Sequence, residues 1–369
     1  MSENDRFFME LALDEARKGL GRTAPNPCVG ALIVRDGHIV GRGYHKRAGT
    51  PHAEVHALAD AGAAARGATM YVTLEPCNHT GRTPPCSHAV VAAGLSRVVI
   101  GLSDPNPLAR GGAEYLLAHG IEVTKGVCER ECRILNLPFI KHTTTGTPWV
   151  VMKAGMSLDG RITYRKGQGG AVTGRAANQA VHNLRDQMDA ILIGVETAEI
   201  DNPSLTTRLA NREGRDPLRV ILDSRLRIAP DSTLFVQDSP AETWIFCTHE
   251  ASIEKESVLR QAGAVVKRVA ATSRNHVDLA EVLSVLGRNN ILSILVEGGA
   301  GVHGSFLRHG LFDEAYLFIA PFFIGDAGTP LVQGYSAASA DSALHLVDVS
   351  LEQLGTDNLI HGFFQDQPR

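Results

Sequence analysis

No apolar run in the chain approaches the roughly 20 residues that a membrane-spanning helix needs, so no bilayer span is expected. Neither sign of charge dominates. The 36 Lys and Arg against 40 Asp and Glu leave a net charge of −4, which gives no electrostatic case for nucleic-acid binding. Cysteine is scarce: six in 369 residues, at positions 28, 77, 86, 128, 132 and 247. So sparse a set does not read as a disulfide framework and points to a reducing compartment, the cytoplasm. The opening Met-Ser-Glu-Asn-Asp lacks the charged-then-apolar layout of a secretion signal. What remains is ordinary for a soluble globular protein, 44% hydrophobic and 21% charged. At 369 residues the chain is too long for one usual core, so two domains are expected.

Against that background one stretch carries chemistry. It holds His52-Ala-Glu54, then Glu75-Pro-Cys77, then Pro85-Cys86. Alone, a histidine is usually a surface or core residue and a free cysteine a small buried hydrophobe. Together, His-x-Glu followed by Pro-Cys and a second Cys match the signature of zinc deaminases. In that chemistry one imidazole and two thiolates hold Zn²⁺ and leave the fourth position open to water. The ligands are His52, Cys77 and Cys86. Glu54 is not a ligand but the catalytic proton carrier.

Residues two apart do not share a helix face, so His52 is expected at a helix start, with Thr50-Pro51 as cap and first-turn proline. Met70 to Leu74 reads as a strand leading to Cys77, and Cys86 opens a helix through Ala93. The cysteines here are separated by Asn78-His-Thr-Gly-Arg-Thr-Pro-Pro85, longer than the two-residue spacing of common deaminases.

The rest of the first half alternates strand and helix. A helix around Phe8, Leu11 and Ala12 comes first, then strands Val29–Val34 and Ile39–Tyr44 joined by an Asp36-Gly37 hairpin turn. Val98–Gly101, Gly112–His119 and Ile121–Lys125 follow as strand, helix and strand. That rhythm argues a layered sheet with helices on both faces. Cys128 and Cys132, four apart, suggest one helix face and a structural role. The polar run Lys141–Pro148 breaks the pattern, and the domain boundary is placed there, giving 1–145 and 146–369.

The second half lacks a comparable His/Cys cluster. Strands are expected at Trp149–Lys153, Ala190–Gly194, Arg219–Asp223, Thr243–Cys247, Ile291–Val296 and Glu314–Ala320. The fifth runs into Glu297-Gly-Gly-Ala-Gly-Val-His-Gly304, and a helix then begins. Such a junction brings backbone N–H groups close to a phosphate. Gly299, Gly301 and Gly304 satisfy the G-x-G-x-x-G spacing, but the strand after them ends in Ala-Pro with no acidic residue for a ribose hydroxyl, against a Rossmann reading.

The segment Glu75 to Cys86, with its long loop, resembles the bifunctional riboflavin-biosynthesis enzymes, in which a pyrimidine deaminase is fused to an NADPH-dependent reductase. Lys153 to Arg161, Asp201-Asn-Pro-Ser-Leu-Thr-Thr-Arg208 and Glu297-Gly-Gly299 are similar to the reductase half of the same enzymes. The resemblance covers nearly the whole chain. It implies an α/β protein: an N-terminal cytidine-deaminase-like three-layer α/β/α domain and a C-terminal dihydrofolate-reductase-like α/β domain.

By position, the resemblance puts Asn26, His45, His79 and Arg82 in the pyrimidine pocket. Asn26 would read the base edge, and Arg82 would meet the sugar phosphate. In the reductase, Gly155, Ala171, Thr197, Asp201 and the turn Gly299, Ala300, Gly301, Val302, His303, Gly304 and Ser305 would hold NADPH. Lys153, Gly169, Arg185, Leu205, Arg208 and Glu297 would hold substrate, with Arg185 and Arg208 as a phosphate clamp. Lys153 and Asp159 are candidates for polarising the reacting carbon and ordering the site. Where the family often has Ser-x-Trp-Ile-Thr, this chain has Gly169-Gly-Ala-Val-Thr173, so Ala171 replaces an aromatic.

The expected function is two reactions in one chain, with Zn²⁺ and NADPH as cofactors and a phosphorylated pyrimidine as substrate. The first is hydrolytic deamination of 2,5-diamino-6-ribosylamino-4(3H)-pyrimidinone 5′-phosphate. The second is reduction of its ribosyl group to ribityl. No nucleic-acid or membrane partner is expected, and a homo-oligomer is. The rival readings are a deaminase with a non-catalytic C-terminal domain, a nucleic-acid-editing deaminase, and a protein with a structural zinc.

Overall fold

The computed structural model describes residues 3–80 and 84–365. The chain divides into two units, Met1–Gly146 and Thr147–Pro368, each built on its own sheet. In the first, helix α1 (Glu3–Arg17) buries Met9, Ala12, Leu13 and Ala16, residues at helical spacing. Strands β1 (Gly30–Arg35) and β2 (His38–Tyr44) pair antiparallel. Their turn residues Asp36 and Gly37 both have positive φ, 51° and 76°, as a tight hairpin turn requires. Then come α2 (Ala53–Ala61), β3 (Thr69–Leu74), α3 (Cys86–Ala93), β4 (Arg97–Leu102), α4 (Gly112–Ala118), β5 (Glu122–Lys125), α5 (Glu129–Leu135) and α6 (Leu137–Thr145).

The sheet order is β2-β1-β3-β4-β5, with the last three strands parallel. Their C-terminal ends share one edge, where Cys77 follows β3. Gly41 and Gly43 of β2 lie directly beneath α2: a Cβ at either would strike the carbonyl of Ala57 or Ala53. This close seat fixes where the first turn of α2 delivers His52 and Glu54.

Three local expectations are corrected. Thr50 does not cap α2, because its hydroxyl donates to Arg47 O at 2.7 Å; the N-cap is His52, in extended backbone with no side-chain cap bond. Cys128 and Cys132 do not share a helix face. Cys128 is the left-handed N-cap of α5, while Cys132 is fully buried against Gly101, whose missing side chain makes room for the sulfur. The polar run from Lys141 is no break in structure but the last turn of α6, which ends at Gly146 (φ 72°). There the hydroxyls of Thr144 and Thr145 donate back to the carbonyls of Ile140 and Lys141, so polar residues that favour loops are accommodated in a helix.

The second unit opens with β6 (Trp149–Ser157), which continues past Lys153. It proceeds through α7 (Arg175–Gln187), β7 (Ala190–Gly194), α8 (Val195–Asp201), β8 (Leu218–Leu222), α9 (Thr233–Val236), β9 (Thr243–Thr248), α10 (Ile253–Gln261) and β10 (Ala264–Val269). It ends with α11 (Leu279–Arg288), β11 (Ser293–Val296), α12 (Ala300–Arg308), β12 (Glu314–Ala320), β13 (Leu346–Leu354) and β14 (Asp357–Phe364). The nine strands lie in the order β10-β9-β8-β7-β11-β6-β12-β14-β13. From β10 to β12 all six neighbouring pairs are parallel; β12–β14 and the terminal β13–β14 hairpin are antiparallel.

Parallel strands buried on both faces read as continuous apolar runs. Thus Ile191, Ile193, Ile221 and Ile245 pack to one side with α8, α9 and α10. Leu192, Val220, Phe246 and Val296 pack to the other with α11 and α12. Among the described residues, no helix is long and apolar enough to cross a membrane.

Candidate active sites

The extended backbone at His52 turns its ring towards the end of β3, and α3 begins at Cys86. His52 Nδ1 therefore lies 3.6 Å from Cys77 Sγ and 3.2 Å from Cys86 Sγ. The donor atoms of the three all fall within 4.8 Å of one another. Ligands of a tetrahedral zinc at ordinary Zn–N and Zn–S lengths stand roughly 3.5–4 Å apart, so the donor set fits the ion. The Cys86 thiol, His52 and the Cys86 N–H together outweigh burial and hold Cys77 as the thiolate, well below the ordinary thiol range.

Glu54, in the first turn of α2, is 3% exposed, and its Oε2 has no hydrogen-bond partner among the described residues. Burial pushes its pKa up to about 7. A carboxylate poised near neutrality beside a metal site suits a proton carrier.

Asn26 and His45 come together, 3.0 Å between Nδ2 and Nε2, at the edge of this site, where the His45 and His52 rings meet edge to face. His79 is exposed at the start of the loop, and Arg82 lies outside the described residues. Glu75 was not singled out by motif reasoning, yet its buried carboxylate accepts the N–H groups of Gly111 and Ala113, both at 3.1 Å, and of Asp104 at 3.3 Å. It thereby anchors the residues flanking Cys77. The signal was available in the Glu-Pro-Cys triplet, but the partners are some 30 residues downstream and only the fold supplies them.

In the second unit a cavity of 660 Å³ opens where β6, β7 and β11 end, the crevice in which open α/β sheets bind ligands. Lys153, Gly155, Ala171, Arg185, Thr197, Asp201, Leu205, Glu297, Gly299, Ala300, Gly301 and His303 all line it. Gly301, in the first turn of α12, has open space where a Cβ would stand, so backbone can approach a phosphate there. These features fit a dinucleotide. Gly169 lies against Asp201, whose Oδ1 occupies the place a Cβ would take. A side chain at 169 would therefore displace Asp201.

Val302, Gly304 and Ser305 are not among the cavity's walls. Val302 packs towards Gly194, and Gly304 lies against Gln333 O, because successive helical residues turn by about 100°. Thr163, Lys166, Arg175 and Asn178 also line the cavity; nothing in their local sequence marks them.

The charged residues divide their work differently from a simple clamp. Arg185 grips Glu297 with two bonds, Nε to Oε1 at 2.7 Å and Nη2 to Oε2 at 2.9 Å, and donates Nη1 to Thr206 O at 3.1 Å. Lys153 Nζ lies 3.4 Å from Glu297 Oε2. Burial would raise the Glu297 pKa, but Arg185 and Lys153 outweigh it and keep the carboxylate ionised. Arg185 is thus largely spent on Glu297 and the Thr206 carbonyl, whereas Arg208, which is not among the cavity's walls, donates to the hydroxyls of Ser204 and Thr206. Asp159 accepts Ser157 Oγ and the N–H groups of Ile324 and Gly325, so it anchors a loop.

A His/Cys/Cys trio with a buried carboxylate beside it, on one α/β unit, defines a zinc-dependent deaminase domain. The second unit is a dihydrofolate-reductase-like, NADPH-dependent reductase domain. Residues 2–102 match the cytidine and deoxycytidylate deaminase zinc-binding region, and residues 148–360 match the RibD C-terminal domain. The chain is 41% identical over 355 residues to riboflavin biosynthesis protein RibD of Bacillus amyloliquefaciens, covering 96% of this chain and 94% of that one. Acinetobacter baumannii RibD superposes with a TM-score of 0.88 at 34% identity, over 99% of both chains. A Thermotoga maritima deaminase/reductase gives 0.85 at 34% identity, over 98% of this chain and 99% of that one. The chain belongs to the RibD family, the bifunctional deaminase/reductases of riboflavin biosynthesis.

Proposed function

We propose that the two units act in succession on 2,5-diamino-6-ribosylamino-4(3H)-pyrimidinone 5′-phosphate. The first replaces the amine at C2 with oxygen, consuming water and releasing ammonia. The second reduces C1′ of the opened ribosyl group, adding a hydride and a proton to give the ribityl side chain. The Thermotoga relative carries the corresponding name, diaminohydroxyphosphoribosylaminopyrimidine deaminase/5-amino-6-(5-phosphoribosylamino)uracil reductase, which supports this substrate.

The observation that carries the deaminase is the meeting of His52, Cys77 and Cys86 next to the unpartnered carboxylate oxygen of Glu54. Zinc held by these three residues supplies Lewis acidity and lowers the pKa of water at its open position. Glu54 takes up a proton at Oε2 and returns it to a ring nitrogen and the leaving amine. Asn26 faces the base edge. NADPH supplies the hydride in the second unit. Thr197, Asp201 and the backbone from Gly299 to Gly301 seat the cofactor, and Lys153, oriented by Glu297, polarises the reacting sugar carbon.

Replacing Glu54→Gln tests the first step. Ammonia release is expected to fall by about 10²–10⁴-fold, with zinc content unchanged and NADPH oxidation on the deaminated substrate retained. Undiminished ammonia release would remove Glu54 from the mechanism.

The chain is also proposed to work in the cytoplasm as a homo-oligomer. Its six free cysteines suit a reducing compartment. Strand β13 ends the second sheet with Val349 and Leu351 exposed, an edge that invites pairing with a second copy. Sedimentation of wild type against Leu351→Lys tests this; a monomeric wild type refutes it.

A further inference from the structure

The loop Asn202 to Arg208 follows α8, and its Pro203 and Leu205 line the cavity of the second unit. Two of its non-glycine residues, Asn202 and Leu205, have positive φ, 39° and 52°, a backbone region that is costly for a branched side chain. Such a loop keeps its shape only if bonds from outside hold it. Several do. Asn202 Oδ1 accepts Thr233 N at 2.8 Å, Ser204 O accepts Gln237 Nε2 at 2.8 Å, and Thr207 N donates to Asp216 Oδ1 at 2.7 Å.

The final two anchors come from a single helix. His182 and Arg185 stand three apart on α7 and so share a face. Arg185 Nη1 donates to Thr206 O at 3.1 Å, and two residues on, Arg208 N donates to His182 Nδ1 at 3.2 Å. The chemistry of each partner is complementary. A guanidinium can only donate, so it takes the carbonyl; a neutral imidazole offers a lone pair, so it takes the N–H. His182 is 4% exposed, and its charge neighbours, Arg185, Arg208 and Lys153, outnumber Glu297. That setting keeps the ring neutral and Nδ1 an acceptor.

What the anchors support is an exposed cation with two hydroxyls. Arg208 Nη1 donates to Ser204 Oγ at 2.9 Å and to Thr206 Oγ1 at 3.0 Å. No carboxylate pairs with Arg208 among the described residues. A guanidinium left without a counter-ion and flanked by hydroxyl groups is suited to an oxyanion.

We propose that His182 is a positioning residue of the reductase: by accepting the Arg208 backbone N–H it fixes the Ser204–Thr206–Arg208 group in the geometry that receives the substrate's phosphate. This rests on the reading of Arg208 as a phosphate ligand. His182 itself does not touch the substrate.

Three variants test it in the full-length protein, with KM and kcat measured on the deaminated substrate and on its dephosphorylated form. Asn places its carbonyl oxygen near the position of Nδ1, whereas Gln places it near Nε2 and Leu has none. Loss of a buried N–H partner predicts that His182→Leu and His182→Gln raise KM for the phosphorylated substrate by about tenfold. Their kcat and their KM for the dephosphorylated form should stay near wild type, and His182→Asn should restore the phosphorylated KM. If Leu fails to fold, the Asn and Gln pair alone decides. Equal rises in KM for both substrates, or Gln behaving like Asn, would overturn the proposal. Arg208→Gln separates the two ideas: if it leaves phosphate selectivity intact, the underlying phosphate reading fails. If it abolishes selectivity while His182→Leu does not, only the positioning role fails.

Discussion

Asn26 Nδ2 lies 3.0 Å from His45 Nε2, and the other ring nitrogen of His45 faces Pro51 O at 3.2 Å. A carbonyl can only accept, so Nδ1 carries the proton and Nε2 must accept from the Asn26 amide. The amide is thereby locked with one orientation, its oxygen free to meet an N–H of a base. His45, 2% exposed, holds the Asn26 amide in that orientation. His45→Leu is expected to lower deaminase kcat/KM by about ten- to a hundredfold, the effect of freeing one buried polar group. Ammonia release checks this, and unchanged reductase turnover serves as the internal control.

Zinc retention should depend on a residue outside the ligand set. A Cβ on Gly112 would collide with Pro76 O, the residue before Cys77, and overpacking a rigid site costs about 1–3 kcal/mol. Gly112→Ala is expected to reduce bound zinc well below one ion per chain and to abolish deamination. Metal analysis after desalting is the measurement; full zinc occupancy would show that β3 and α4 can part without disturbing Cys77.

The buried pair in the second unit should be costly to break. Arg185→Ala leaves Glu297 ionised in the interior with Lys153 alone at 3.4 Å. Such one-sided removal destabilises by about 3–5 kcal/mol. Both tryptophans of the chain, Trp149 and Trp244, lie in this unit, so their fluorescence in urea follows its unfolding without interference from the first.

Acid should weaken the same unit. Burial lowers the His303 pKa to about 4, against about 6.5 for an unfolded histidine. Between those values the unfolded chain binds a proton that the folded chain refuses, so stability falls as pH drops from about 6.5 towards 4 and is unaffected above that window. The tryptophan-monitored urea midpoint should decline across this range, and more shallowly in His303→Phe. An identical slope in the variant would assign the acid sensitivity elsewhere.

The metal site was legible from spacing alone because its chemistry demands particular residue types near particular element ends. His52, Cys77 and Cys86 sit at a helix start, after a strand and at a helix start, and local pattern marks all three places. The strands from β6 to β9 were legible because parallel strands buried on both faces leave unbroken apolar runs. The hairpin β13–β14 was not: its outer strand is largely exposed and carries no such run. Ligand roles in the reductase came from resemblance to a family, since glycines and lone arginines have no chemistry of their own in a sequence. Only the fold decided that Arg185 is committed to Glu297, that Glu75 anchors the flanks of Cys77, that His182 accepts the Arg208 backbone N–H, and that His45 faces the Asn26 amide. Each of those outcomes joins residues 19 to 112 positions apart through hydrogen bonds, and a hydrogen bond depends on atoms meeting within about 3 Å, which no one-dimensional pattern encodes.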